Sequence, residues 1–168
     1  MRKTWIRFGW GGILATWMAV IFLFSHQPAS ESSKISGTFS FRLIEQAGEL
    51  LGLDMAENDI EKMAERIDYP VRKAAHMTEY AILGLLSFGF FFYWWQTEKK
   101  YIYYLSAWLF CICYAATDEF HQLFVQGRAG KISDVCIDAA GAAIGLLLLF
   151  VFRKILRSHC EKRKYLIQ

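Results

Sequence analysis

Residues 80–97 read YAILGLLSFGFFFYWWQT, eighteen consecutive positions without an Asp, Glu, Lys or Arg. The hydrocarbon core of a bilayer, about 30 Å thick, is crossed by roughly 20 apolar residues rising about 1.5 Å each, with about 17–25 tolerated. This run is long enough to cross. Residues 8–30 and 101–117 are equally free of charge, and 132–152 is interrupted only by Asp134 and Asp138 near its start. Four such helices take up 79 of the 168 residues, more wholly apolar helix than a soluble fold of this size buries. The expectation is an all-α polytopic membrane protein, one domain over residues 1–168. Its four transmembrane helices, at about 6–25, 74–96, 101–120 and 132–152, form a bundle.

Composition agrees with that class. Apolar residues make up 55% of the chain and charged residues 21%, against roughly 25% charged in soluble domains. Two prolines and twelve glycines exclude a disordered or collagen-like chain. A net charge of +3 is too small to point to nucleic acid. What matters is where the charges sit. If the N-terminus is cytoplasmic, the inner segments hold eleven basic residues against Glu98 and Glu161, a balance of +9. The outer side then holds eight basic and fourteen acidic residues, a balance of −6. Short Lys/Arg-rich segments stay inside, so both termini are expected in the cytoplasm, with a basic tail over 153–168. The first apolar run exceeds the roughly 7–15 residues of a signal-peptide core, and Gln27-Pro28-Ala29 is a poor cleavage site. It reads as a retained anchor.

The extracytoplasmic segment, 26–72, is the one long polar stretch. Phe39, Leu43, Ala47 and Leu50 recur at helical spacing and end near Gly52. Ile60, Met63, Ala64 and Ile67 form a second stripe, with Asn58 as its N-cap, Glu61 three residues on, and Pro70 closing the segment. Two short amphipathic helices on the outer surface are expected, covering the bundle's ends or acting as a lid. Cys111, Cys113, Cys136 and Cys160 form no CxxC pair and suggest neither a disulfide framework nor a zinc ribbon.

The remaining polar residues concentrate at the outer ends of the helices. Arg72, His76 and Glu79 share one helical face, beside Lys73. Asp118, His121 and Gln122 share another, next to Glu119, and Asp134 and Asp138 stand one turn apart. A short link carrying Arg128 and Lys131 joins the last two spans. Ionisable groups within a bilayer cost roughly 2.5–3.5 kcal/mol each at its centre, so they are retained for a partner or a function. Gly141 and Gly145 form a GxxxG step suited to close helix packing inside the bundle.

Lys73-x-x-His76-x-x-Glu79-Tyr80, Asp118-Glu119-x-His121-Gln122, Gly127-Arg128 and Asp134-x-x-x-Asp138-x-x-Gly141-x-x-x-Gly145 together closely resemble the VanZ-like membrane proteins. Ser25-x-x-Pro28 is similar to that family too. The resemblance implies a bacterial cytoplasmic membrane protein, the family's named member being linked to low-level teicoplanin resistance. It supplies no reaction.

Three readings of the site remain open. In the first, an outward-facing pocket binds, and in one form modifies, a membrane lipid or lipid-linked cell-envelope component. Arg72, Lys73, Glu119, Gln122, Arg128 and Asp138 hold its headgroup, while His76, Glu79, Asp118, His121 and Asp134 carry any chemistry. In the second, His76, Glu79, Asp118, His121, Asp134 and Asp138 supply ligands for zinc or manganese. In the third, the charges are a structural network that pins helix ends. Transport has least support, since no ionisable residue lies in the inner halves to complete a path.

Topology is directly testable. In a variant lacking the four native cysteines, an impermeant thiol reagent applied to intact cells should label Ser33→Cys and leave Thr97→Cys and Ser158→Cys unlabelled.

Overall fold

The computed structural model describes the backbone of residues 2–95 and 97–165 and the side chains of residues 4–95 and 97–160. Among the described residues there is no strand. The chain forms α1 (Arg2–Ser25), α2 (Ala29–Leu50), α3 (Glu57–Trp94), α4 (Tyr101–Gln122) and α5 (Ile132–Tyr165).

Helix α3 is the element on which all the others pack. At 38 residues and about 1.5 Å per residue, it is far longer than a span requires. The second amphipathic stripe and the second predicted span are one continuous helix, which corrects the expectation that Pro70 separates them. Proline removes one helical hydrogen bond and crowds the preceding turn. Here Arg72 Nη2 pairs with Asp68 Oδ2 at 2.5 Å, an i,i+4 ion pair that staples the two turns flanking the proline. The helix begins at Glu57 behind Ala56, with no side-chain cap, so Asn58 lies in the first turn rather than at the N-cap.

The first amphipathic stripe lies on a helix of 22 residues, α2, which runs antiparallel to the N-terminal half of α3. The pair is a helical hairpin in place of two short surface helices. Ala64 is buried in it. The helix expected to end at 152 continues through the basic tail to Tyr165, whereas Gln96, the end of the second predicted span, and residues 166–168 of the tail lie outside the described residues.

Among the described residues, three helical stretches are long and apolar enough to cross a membrane: Thr4–Ser25, Glu57–Trp94 and Ile132–Cys160. Helix α4 is not among them. Its four tyrosines and its polar last turn lower its mean hydropathy, although its 22 residues are long enough. Large apolar side chains such as Phe8, Ile13, Leu147, Leu148 and Phe150 face outward along the spans, as a lipid surroundings permits and water does not.

Between the helices lies a core of Leu14, Ile21, Tyr80, Leu83, Cys111, Ala115 and Ala142, continued toward the inner end by Phe88, Tyr103, Ala107 and Leu146. At that end Arg7 Nε donates to the Tyr93 carbonyl at 2.9 Å, and Trp94 Nε1 donates to the Arg7 carbonyl at 3.2 Å, fastening α1 to α3. Arg153 of α5 lies 5.2 Å from the Phe88 ring centre and 5.3 Å from that of Phe92.

The closest helix contact is between α3 and α5. A Cβ at Gly141 would strike the Met77 backbone, and one at Gly145 would come within 2.5 Å of the Ala81 carbonyl oxygen. Gly84 answers from the other side, where a Cβ would lie 3.1 Å from the Ala142 carbonyl oxygen. The GxxxG step therefore packs inside the bundle. Gly141→Ala should destabilise the protein by about 1–3 kcal/mol through overpacking. Gly12→Ala, where nothing lies within 4 Å, should leave thermal unfolding in detergent unchanged.

Candidate functional site

The outer end of the bundle is laced by the link between α4 and α5. Gly127 adopts a φ of 76°, the left-handed region that glycine enters without steric cost, and this turns the chain back over α1. The turn delivers Arg128, whose Nε donates to the Gln27 carbonyl at 2.9 Å and whose Nη2 donates to the Phe24 carbonyl at 3.1 Å. A cation thus sits on the carbonyl end of α1, where the helix dipole favours it. Burial pulls the guanidinium pKa below its ordinary value, and the carboxylates of Asp118, Glu119 and Glu79 oppose that fall. Arginine remains charged.

Two cavities meet at this point. The larger, about 670 Å³, lies between α1, α2 and α3 and is lined by Gln27, Arg72, His76, Glu79 and Arg128 together with mostly hydrocarbon side chains. The smaller, about 210 Å³, is lined by Tyr69, Lys73, Gln122 and Asp134 among others. Ser32, Arg72, His76 and Arg128 border both.

Arg72 reaches across from α3 to α2, its Nη1 donating to Ser33 Oγ at 3.0 Å while Asp68 holds Nη2. Its Nε is buried without a hydrogen-bond partner. His76 Nδ1 lies 3.7 Å from Glu79 Oε2, one turn along the same face. Lys73 Nζ meets Asp134 Oδ1 at 2.6 Å and joins α3 to α5.

The other predicted residues, including Gln122 at the edge of the smaller cavity, make contacts that hold the bundle. Glu119 Oε2 accepts the Lys131 backbone N–H at 2.8 Å, a carboxylate closing the N-terminus of α5. Gln122 Nε2 donates to Ser25 Oγ at 2.9 Å and to Asp118 Oδ2 at 3.4 Å, tying α4 to α1. Asp118 and Asp138 are buried, and Asp118 Oδ1 and the Tyr80 hydroxyl lack hydrogen-bond partners. His121 lines neither cavity. Its Nε2 is 3.1 Å from His26 Nδ1, and its ring packs on Phe22 with centroids 4.6 Å apart. A single histidine, His76, therefore borders the cavities. Among the described residues no three His, Cys, Asp or Glu side chains are grouped to hold a metal ion.

The sequence profile described as VanZ/LLP1 matches residues 10–153, which include every residue of both cavities. The chain belongs to the VanZ/LLP1 family. Among curated proteins and solved structures, none matches it. The polar and small residues singled out from Lys73 to Gly145 thus divide by position. Some face the cavities, and others hold helix ends or bring backbones together.

Sequence reasoning missed the opposite wall of this VanZ/LLP1 site. Trp17, Ser32, Ile35 and Tyr69 line the cavities. Only the helical spacing of Ile35 with Phe39 and Leu43 gave a signal for any of them.

The Lys73–Asp134 pair is mostly buried, with side chains 19% and 17% exposed. Removing one member strands the other. Lys73→Met and Asp134→Asn should each cost about 2 kcal/mol. The double variant should cost clearly less than their sum in chemical or thermal unfolding.

Proposed function

We propose that this VanZ/LLP1 protein crosses the bacterial cytoplasmic membrane four times, α4 being the fourth span, with both termini in the cytoplasm. Its outer face binds the anionic headgroup of a membrane lipid or lipid-linked envelope component. The basic inner segments support the orientation. One observation carries the binding: Arg72 and Arg128 border both cavities, and each retains an unengaged donor. Arg72 Nε is unpartnered, and Arg128 spends Nε and Nη2 on carbonyls while no described carboxylate lies within ion-pair distance of it. Guanidinium donors of this kind match phosphate or carboxylate oxygens.

His76 is the group placed to take a proton from a headgroup hydroxyl, with Glu79 beside it. Among the described residues, a metal-dependent reaction has no grouped ligand set to support it. The structural reading is favoured for Lys73–Asp134, Glu119 and Gln122, whose contacts join helices. Teicoplanin carries a lipid tail, so a protein that holds an outer-leaflet lipid alters the antibiotic's access without altering its peptide target.

Phosphatidylglycerol should raise the unfolding temperature of the purified protein more than phosphatidylcholine does. Arg72→Gln combined with Arg128→Gln should erase the difference, at about 1.5–3 kcal/mol for each charged hydrogen bond lost. The same double variant should lose any effect on teicoplanin susceptibility at unchanged abundance. Equal stabilisation by both lipids, unaltered in the variant, would overturn the reading.

A further inference from the structure

We infer that the larger cavity houses one hydrocarbon chain of the ligand whose anionic headgroup Arg72 and Arg128 hold, the chain entering sideways between α1 and α2. This rests on the headgroup reading and adds to it the class of occupant, an anionic amphiphile with an alkyl or acyl chain.

The wall changes character along its length. Apolar side chains face the cavity on both sides of the guanidinium groups, Ile35, Phe39 and Leu43 of α2 on one side and Trp17 of α1 and Ile82 of α3 on the other. The polar atoms in that wall are already engaged within the chain. Trp17 Nε1 donates to the Glu79 carbonyl at 3.0 Å, Thr78 Oγ1 donates to the Ala74 carbonyl at 2.8 Å, and Ser36 Oγ donates to the Ser33 carbonyl at 3.3 Å. The face left to an occupant is therefore hydrocarbon.

That face has no cover within the chain. Ile35, Phe39 and Leu43 are 59%, 57% and 44% exposed. Helix α2 packs along α3 and makes no extended contact with α1, so the gap between α1 and α2 is open on the side away from α3. A cavity of about 670 Å³ falls in the range of about 300–1,000 Å³ that encloses most of a ligand of several tens of atoms. With cationic donors fixed between stretches of apolar wall, charge complementarity selects an anionic amphiphile over a neutral lipid or a second copy of α2.

The test uses the full-length protein in phosphatidylcholine nanodiscs, with butyl, octyl and dodecyl phosphate, inorganic phosphate, and dodecanol as probes. Ile35→Ser and Phe39→Ser are combined in one variant. Both side chains are exposed, so the fold should survive, which the unfolding temperature checks. Partition into the disc strengthens the apparent affinity of the longer chains but acts alike on wild type and variant for each probe, so the readout is the ratio of wild type to variant. That ratio should grow from butyl to dodecyl phosphate, each methylene seated in the cavity contributing up to about fourfold in affinity in the wild type. Inorganic phosphate should bind both proteins alike. A ratio independent of chain length would overturn the inference, the chain then lying in the bilayer while the headgroup reading stands. Dodecanol binding as tightly as dodecyl phosphate would overturn the headgroup reading and this inference with it. Ligand-insensitive cross-linking between copies through Phe39→Cys would overturn the inference alone, by making the face an interface between copies.

Discussion

The contact on which the site depends is the meeting of two backbones. Helices α3 and α5 approach so closely at Gly84, Gly141 and Gly145 that no side chain fits between them. In hydrocarbon, apolar helices gain little by hiding from lipid, so close packing and polar contacts must supply the association. The approach fixes α5 one turn at a time against α3, and the register that results sets Asp134 opposite Lys73. With that pair in place, the link from α4 carries Arg128 over the end of α1, and the two cavities acquire their common wall.

Around that contact, charge is divided between holding and receiving. Asp68 neutralises part of Arg72, Asp134 neutralises Lys73, and Glu119 is spent on the first turn of α5. These groups sit among apolar helices where an isolated charge is expensive. Arg128 is treated differently, anchored by neutral carbonyls that position it without cancelling its charge. The site's positive character comes from this choice of partner more than from any surplus of basic residues.

Much of this was legible in the chain. An uncharged run such as 80–97 is long enough to cross lipid as a helix, and the spacing of Arg72, His76 and Glu79 placed them on one face before any neighbour was known. The limits are equally physical. Pro70 reads locally as a helix boundary, and only the Asp68–Arg72 pair across it reveals continuity. Asp118 and His121 differ by about 60° around a helix, near enough to suggest one face. The bundle buried Asp118, Glu119 and Gln122 and left His121 beside Phe22. The cavity needed two helices placed side by side, which no single stretch of sequence specifies.

The Lys73–Asp134 pair also orders the protein's biogenesis. Sixty residues of chain separate the two partners, so α3 is threaded into the bilayer while the carboxylate that will neutralise Lys73 has yet to be synthesised. Until α5 arrives, Lys73 must remain within reach of water or headgroups, and α3 cannot settle to its final depth. Docking of α5 then supplies the carboxylate that pairs with Lys73 and joins α3 to α5 at the polar end of the bundle. Assembly of the polar end of the bundle is thereby coupled to completion of the last helix, since a chain lacking α5 would leave Lys73 without this carboxylate.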